Sequence, residues 1–122
     1  MKSDKEKIEI LITVPFAENL LDQLRQVSPK VNITVAPAHQ PEDIPAETWE
    51  RTEILYTDTA VPAPEQVPNL RWLQFHYTGF DEVLAVPLLK KPDLEITNLS
   101  GVVAPQMAEY IVMLMLNLAH RL

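Results

Sequence analysis

The sequence predicts an α/β domain: a five-stranded parallel sheet with helices on both faces and a long helix at the end. Three observations carry this. Short apolar runs of strand length, several of them β-branched, recur five times along the 122 residues. Segments with helical spacing or helix-starting residues lie between them, and such alternation favours a parallel sheet between helical layers. Eleven prolines mark the sharp connections, while glycine is confined to Gly79 and Gly101.

In chain order, Ile8–Val14 (I-E-I-L-I-T-V) is a β-branched run closed by Pro15 and reads as a buried strand. Ala17–Val27 places Leu20, Leu21, Leu24 and Val27 on a helical face, opposite Glu18, Asp22, Arg25 and Gln26, and Ser28-Pro29 ends it. Val31–Val35 alternates, V-N-I-T-V, as a half-exposed strand near an edge does. A loop over Pro37–Pro45 leads to a single helical turn, Ala46–Arg51, holding Trp49. Glu53–Tyr56 is the third strand, followed by a Thr57-Asp58-Thr59 loop. Pro64–Val67 is at most a short helix. Arg71–His76 is the fourth strand, turning at Gly79. Asp81 suits the N-cap of a helix over Glu82–Leu89, in which Pro87 sits awkwardly. Leu94–Thr97 is the fifth strand, and the final helix covers roughly Pro105–Arg121, with Pro105 in its first turn. Five strands connected in this way suggest the flavodoxin-like order 2-1-3-4-5, a three-layer sandwich. No repeat, low-complexity segment or linker interrupts the chain.

Composition narrows the functional classes. Ten Lys and Arg against seventeen Asp and Glu give a net charge of −7, which repels phosphate backbones and argues against nucleic-acid binding. The absence of cysteine excludes a disulfide scaffold and thiolate metal sites, and suits a cytoplasmic protein. The charged start, M-K-S-D-K-E-K, is unlike a signal peptide. The apolar run Tyr110–Leu116 is far short of the ~20 residues that span a bilayer. Acidic residues at 42, 43, 47, 50 and 53 read as a solvated face.

In sheets of this order, ligands bind beyond the carboxyl ends of the strands. Here those ends are Pro15-Phe16, Thr57-Asp58-Thr59, Tyr77-Thr78-Gly79 and Asn98–Ala104. Val14-Pro15-Phe16 offers neither the clustered acids of a magnesium-dependent receiver domain nor the hydroxyl- and glycine-rich loop of a flavin-phosphate site. Two glycines 22 residues apart cannot form a dinucleotide or mononucleotide phosphate loop. None of His39, His76 and His120 has a partner at metal-ligand spacing, so no metal site is expected. His76, at the crevice end of its strand, reads either as a general acid/base or as a strand-end histidine bonded to backbone, and the second needs fewer assumptions. His120, beside Arg121, complements the final helix dipole. Thr78-Gly79 reads equally as an anion site built from outward backbone amides near a helix start and as a turn that needs glycine only for its angles. Gly101 has the same two readings, with the conformational one ahead.

A family resemblance rests on the second half of the chain. Gly79-Phe80-Asp81 after the fourth strand, then Asn98-Leu99-Ser100-Gly101, then Ala108-Glu109 opening a long helix that closes with Ala119-His120-Arg121, resembles the NAD(P)-dependent D-isomer-specific 2-hydroxyacid dehydrogenases. Pro68–Gln74 (P-N-L-R-W-L-Q) resembles the entry to the same strand in that family. Such enzymes have a flavodoxin-like substrate-binding lobe and a Rossmann lobe joined by a long helix. The resemblance implies that residues 1–104 are the substrate-binding lobe and 105–122 the interdomain helix. The NAD-binding domain, with the catalytic arginine, glutamate and histidine, would then lie beyond Leu122, and no histidine here inherits the catalytic role.

By the same resemblance, the backbone amides of Thr78 and Gly79 would hold the carboxylate of a small 2-oxo or 2-hydroxy acid. Tyr77 would stand at the pocket rim, with the Thr57–Thr59 loop as a further wall. Val103 and Ala104 would approach the nicotinamide of NAD or NADP, though a valine at 103 offers no polar substrate contact. Asp81, Glu109 and Arg121 would be structural: a cap, a first-turn acid and a last-turn base. By itself the chain is expected to be catalytically inactive. The competing readings are a stand-alone binding or interaction module on this fold and an engineered fragment.

The final helix is apolar on most sides. At 100° per residue, Gln106, Glu109, Asn117 and His120 form one narrow stripe, with Met113 among them, and the rest is Met107, Tyr110, Ile111, Val112, Leu114, Met115, Leu116 and Leu118. So large an apolar surface predicts a homo-oligomer, a dimer through residues 105–122, possible by exchange of the helix between chains.

Overall fold

The computed structural model describes residues 7–79 and 85–122. Its elements run β1 (Ile8–Ile12), α1 (Glu18–Val27), β2 (Val31–Val35), α2 (Ala46–Arg51), β3 (Ile54–Thr57), β4 (Trp72–Phe75), β5 (Glu95–Thr97) and α3 (Ala104–His120), with short 3-10 turns at Pro41–Asp43, Pro64–Gln66 and Pro87–Lys90. All four strand pairings are parallel and the sheet order is β2-β1-β3-β4-β5. This is the α/β sandwich that the alternating pattern predicts. β2 lies at an edge, as its half-polar alternation requires.

Two boundaries differ from expectation by more than one residue. β1 stops as a regular strand at Ile12, although backbone pairing continues: Thr13 N donates to Tyr56 O at 3.0 Å and Ala38 N donates to Thr13 O at 2.9 Å. The helix expected over Glu82–Leu89 does not reach Leu89. Pro87 instead opens the 3-10 turn Pro87–Lys90, where its missing N–H is no loss. Its start, with Phe80, the Asp81 cap and residues 82–84, lies outside the described residues, as do residues 1–6 at the charged start.

Period-2 alternation sends successive side chains to opposite faces of the sheet. One face is sealed. Leu11, Leu55, Leu73 and Phe75 point into it and meet Ile44, Trp49, Val67, Leu70 and Leu88 from the α2 and 3-10 layer, and all of these are buried. Trp49 anchors that layer. Its ring is fully buried and its indole Nε1 donates to Pro41 O at 2.9 Å, so its polar atom is matched as well as its surface. Thr13 and Thr57 bring hydroxyls into this interior, and each satisfies the other: Thr13 Oγ1 donates to Thr57 Oγ1 at 2.6 Å, and Thr57 Oγ1 donates to Ala60 O at 3.2 Å.

The other face is covered only in part. α1 buries Leu21 against Ile12 and Val14. Leu20, Leu24 and Val27, read from the sequence as the rest of its core face, remain exposed. One helix is about 10 Å wide and covers about two strands at their ~4.8 Å spacing, so α1 shelters β2 and β1, and among the described residues no helix covers β3 and β4 on this face. α3 is no substitute. It leaves the end of β5 and contains no buried residue.

Truncating the anchor of the sealed face tests this division. Trp49→Ala should lower the unfolding free energy by about 3–5 kcal/mol, the usual loss for a fully buried aromatic, measured as a shift in the urea midpoint.

Candidate functional site

The loops at the carboxyl ends of β4 and β5 are tied to each other. Leu99 N donates to Tyr77 O at 2.7 Å, and Asn98 Nδ2 donates to Thr78 O at 3.3 Å. Asn98 also shapes its own loop, its Oδ1 accepting from Ser100 N at 3.0 Å. These bonds fix Tyr77-Thr78-Gly79 beside Asn98–Ser100, two segments widely separated in sequence. The Tyr77 ring is half-buried and stacked on Phe75, with centroids 5.4 Å apart and planes 17° from parallel. Phe75 belongs to the sealed interior, so the core itself orients the tyrosine. Thr78 and Gly79 are exposed beside it.

The neighbouring wall after β3 is held by its own side chains. Asp58 Oδ1 accepts from Thr59 N at 2.6 Å, and Thr59 Oγ1 donates to His39 O at 2.9 Å. A run of turn bonds leads from the β5 loop into α3: Val102 N to Leu99 O, Ala104 N to Gly101 O and Met107 N to Val103 O. Gly101 has φ +85°, and an added Cβ would meet no atom within 4 Å. Glycine is therefore needed there for its backbone angle, in line with the conformational reading. Val103 is the cap residue of α3 and Ala104 its first residue, and both are exposed.

Three sequence readings need correction. Glu109 is the sixth residue of α3 and stands in its second turn, because the helix starts at Ala104. Arg121 is past the helix end, in the left-handed conformation at φ 57°, with its N–H bonded back into the last turn. His120 alone carries the basic role in the last turn. His76 is the third case. Its backbone N donates to Thr57 O at 2.8 Å, but its ring bonds a side chain: Nδ1 lies 2.6 Å from the Tyr56 hydroxyl.

The Tyr56–His76 pair went unread in the sequence. Tyr56 is opposite Gln74 in the β3–β4 register, and His76 is two residues beyond Gln74, hence on the same face. The strand register was the signal that could have found it. Phe16 closes against Tyr56 edge-on, with ring centroids 5.3 Å apart. Burial pushes the Tyr56 phenol above its ordinary value. The phenol therefore keeps its proton at neutral pH, and its hydroxyl shares a 2.6 Å hydrogen bond with Nδ1 of His76.

Chemically, the end of the sheet offers two exposed residues, Thr78 and Gly79, an aromatic rim at Tyr77 and a phenol–imidazole pair one strand away. Val103 and Ala104 supply an apolar approach without a phosphate cradle, so these residues do not fit the pyrophosphate of a dinucleotide. No protein-family model matches the chain, and no curated protein matches it either.

The phenol gives a pH test. A group whose folded pKa is raised contributes stability that is present below its unfolded value, ordinarily 10, and is lost as pH rises through the folded value. Unfolding free energy should fall above about pH 10. Tyr56→Phe should flatten that fall and cost about 0.5–1.5 kcal/mol at neutral pH through the lost hydrogen bond, both read from urea titrations across pH.

Proposed function

We propose that this chain is the substrate-binding lobe of an NAD(P)-dependent D-2-hydroxyacid dehydrogenase. The observation that carries the reading is the pair of loops after β4 and β5, stitched together by Leu99 and Asn98 with Thr78 and Gly79 exposed beside them. The parallel order 2-1-3-4-5 puts them where ligands of such sheets bind. In this role the Thr78 and Gly79 amides take the carboxylate of a small 2-oxo or 2-hydroxy acid, and the stacked Tyr77 ring bounds its side chain. Asn98 holds the two loops at a fixed separation. Val103 and Ala104 present an apolar edge toward the nicotinamide ring of a cofactor whose phosphates are held outside this chain. Bound NAD or NADP would supply the hydride acceptor or donor, and the proton-transferring residues belong to the other lobe. This chain alone is then a binding unit without turnover, and the reading places it in the cytoplasm.

A second reading, an association module, is favoured by one observation: α3 has nine large apolar side chains exposed and none buried. It makes the chain a homodimer through residues 105–122. Among the described residues no helix is long and apolar enough to cross a membrane.

Titrating ¹⁵N-labelled protein with oxamate tests the first reading. Amide shifts confined to Tyr77–Gly79 and Leu99–Ser100, saturating at millimolar concentration, are expected. Unmoved Thr78 and Gly79 resonances would remove the carboxylate site. The same preparation should oxidise no NADH in the presence of glyoxylate, pyruvate or hydroxypyruvate, and turnover above a buffer blank would contradict the assignment of the chemistry to another lobe.

A further inference from the structure

The open face of the sheet is shaped as a seat. Across it, in register, run Ile33, Ile10, Ile54 and Trp72, followed by Val35, Ile12, Tyr56 and Gln74. With Leu24 and Val27 of α1 along one side, all of these except Val35 line an open groove of about 570 Å³. The far side is closed by polar groups: Trp72 Nε1 donates to Thr97 Oγ1 at 2.7 Å, and Thr97 Oγ1 donates to Gln74 Oε1. From β1 to β4 is two strand spacings, about 10 Å, which is the width of one helix. Among the described residues, the layer begun by α1 is therefore short by a single helix.

We propose that this seat receives α3 of a second copy of the chain, and that the exchange is reciprocal. The proposal rests on the association reading of α3 and adds the surface to which it binds. α3 has the complementary form. Seventeen residues make a rod about 25 Å long, and Ala104, Met107, Ala108, Ile111, Met115 and Leu118 fall on one stripe opposite Gln106, Glu109, Asn117 and His120. The apolar stripe faces the isoleucines and Trp72, and the polar stripe stays in water.

The helix of the same chain is held away from its own seat. Successive bonds Leu99 N–Tyr77 O, Val102 N–Leu99 O, Ala104 N–Gly101 O and Met107 N–Val103 O carry the chain out of β5 along one fixed course into α3. Folding α3 back over β3 and β4 would break this run, and a partner's helix needs no such change. Area favours exchange both ways. Half the surface of a rod of these dimensions is about 400 Å². One seat filled in one direction would bury about that much on each side, under the size of a stable interface. Two reciprocal seats bury about 800 Å² per chain, the standard size, and reciprocity closes the assembly as a twofold dimer.

Light scattering on the 122-residue chain, with two point variants, tests this. Leu24 is 38% exposed on the rim of the seat and Ile111 is 52% exposed on the stripe, so charge at either position should leave the fold intact. Circular dichroism checks that point, and Val27→Glu serves as a second rim variant. The wild-type chain should be a dimer at ~100 µM, and both Leu24→Glu and Ile111→Glu should weaken it at least tenfold. Trp72, 41% exposed in the single chain, should become shielded from acrylamide in the dimer and accessible on dilution, whereas Trp49 stays shielded throughout. A wild-type monomer at that concentration would defeat the association reading itself. A dimer weakened by Ile111→Glu but indifferent to Leu24→Glu and Val27→Glu would mean that α3 pairs with α3, overturning the seat alone. A monomer with Trp72 already shielded would place α3 on its own sheet and overturn the exchange.

Discussion

Everything in this structure depends on the two-sidedness of a parallel sheet. Strand alternation gives both faces apolar side chains, and each face must then be covered. The chain covers one face fully, with α2 and the 3-10 turns around Trp49. On the other, the described residues place a single helix, α1, over five strands. The exposure of Leu24, Val27 and Trp72 follows from that shortfall, and so does the surplus of apolar surface on α3. The two surpluses are of one kind.

The sealed face also builds the end of the sheet that carries the candidate site. Phe75 is a core residue whose ring holds Tyr77 flat against it. Thr57 is buried through its pairing with Thr13, and its carbonyl accepts from His76 N. The loops beyond β3, β4 and β5 are thus continuations of packed strands, and their positions are set by the interior. A binding surface made of backbone amides needs such support, because the amides carry no side chain to adjust their aim. The Tyr56–His76 pair belongs to the opposite face and borders the open seat.

Much of the fold was legible because the strands are short, β-branched and separated by prolines, so that element type and order could be read from periodicity. β2 betrayed its edge position through Asn32 and Thr34. What was not legible depended on contacts across the sheet. Leu20, Leu24 and Val27 have the spacing of a core face, and only the width of the sheet decides that α1 covers just two strands. The contact of His76 with Tyr56 is a matter of register between β3 and β4, and neither residue signals it alone. Pro87 was visible as an obstacle to a helix, but the sequence did not show that the chain would answer with a 3-10 turn. Glu109 and Arg121 were misplaced by one turn and one residue because helix ends depend on the cap, and α3 begins at Ala104 without a side-chain cap. At the candidate site, Tyr77, Thr78 and Gly79 are visible in the sequence as a strand end, and the bonding of Tyr77 to Leu99 and of Thr78 to Asn98 is tertiary.

On this proposal the bare face over β3 and β4, bordered by β1, and the apolar stripe of α3 are mates in different chains. An isotope-filtered NOESY spectrum of an equal mixture of ¹³C-labelled and unlabelled protein reads this directly. Cross-peaks between the methyls of Ile111 and Leu118 in one chain and the Trp72 indole of the other are the predicted result. The same cross-peaks arising only within a single chain, or their absence in a sample shown to be dimeric, would contradict the account.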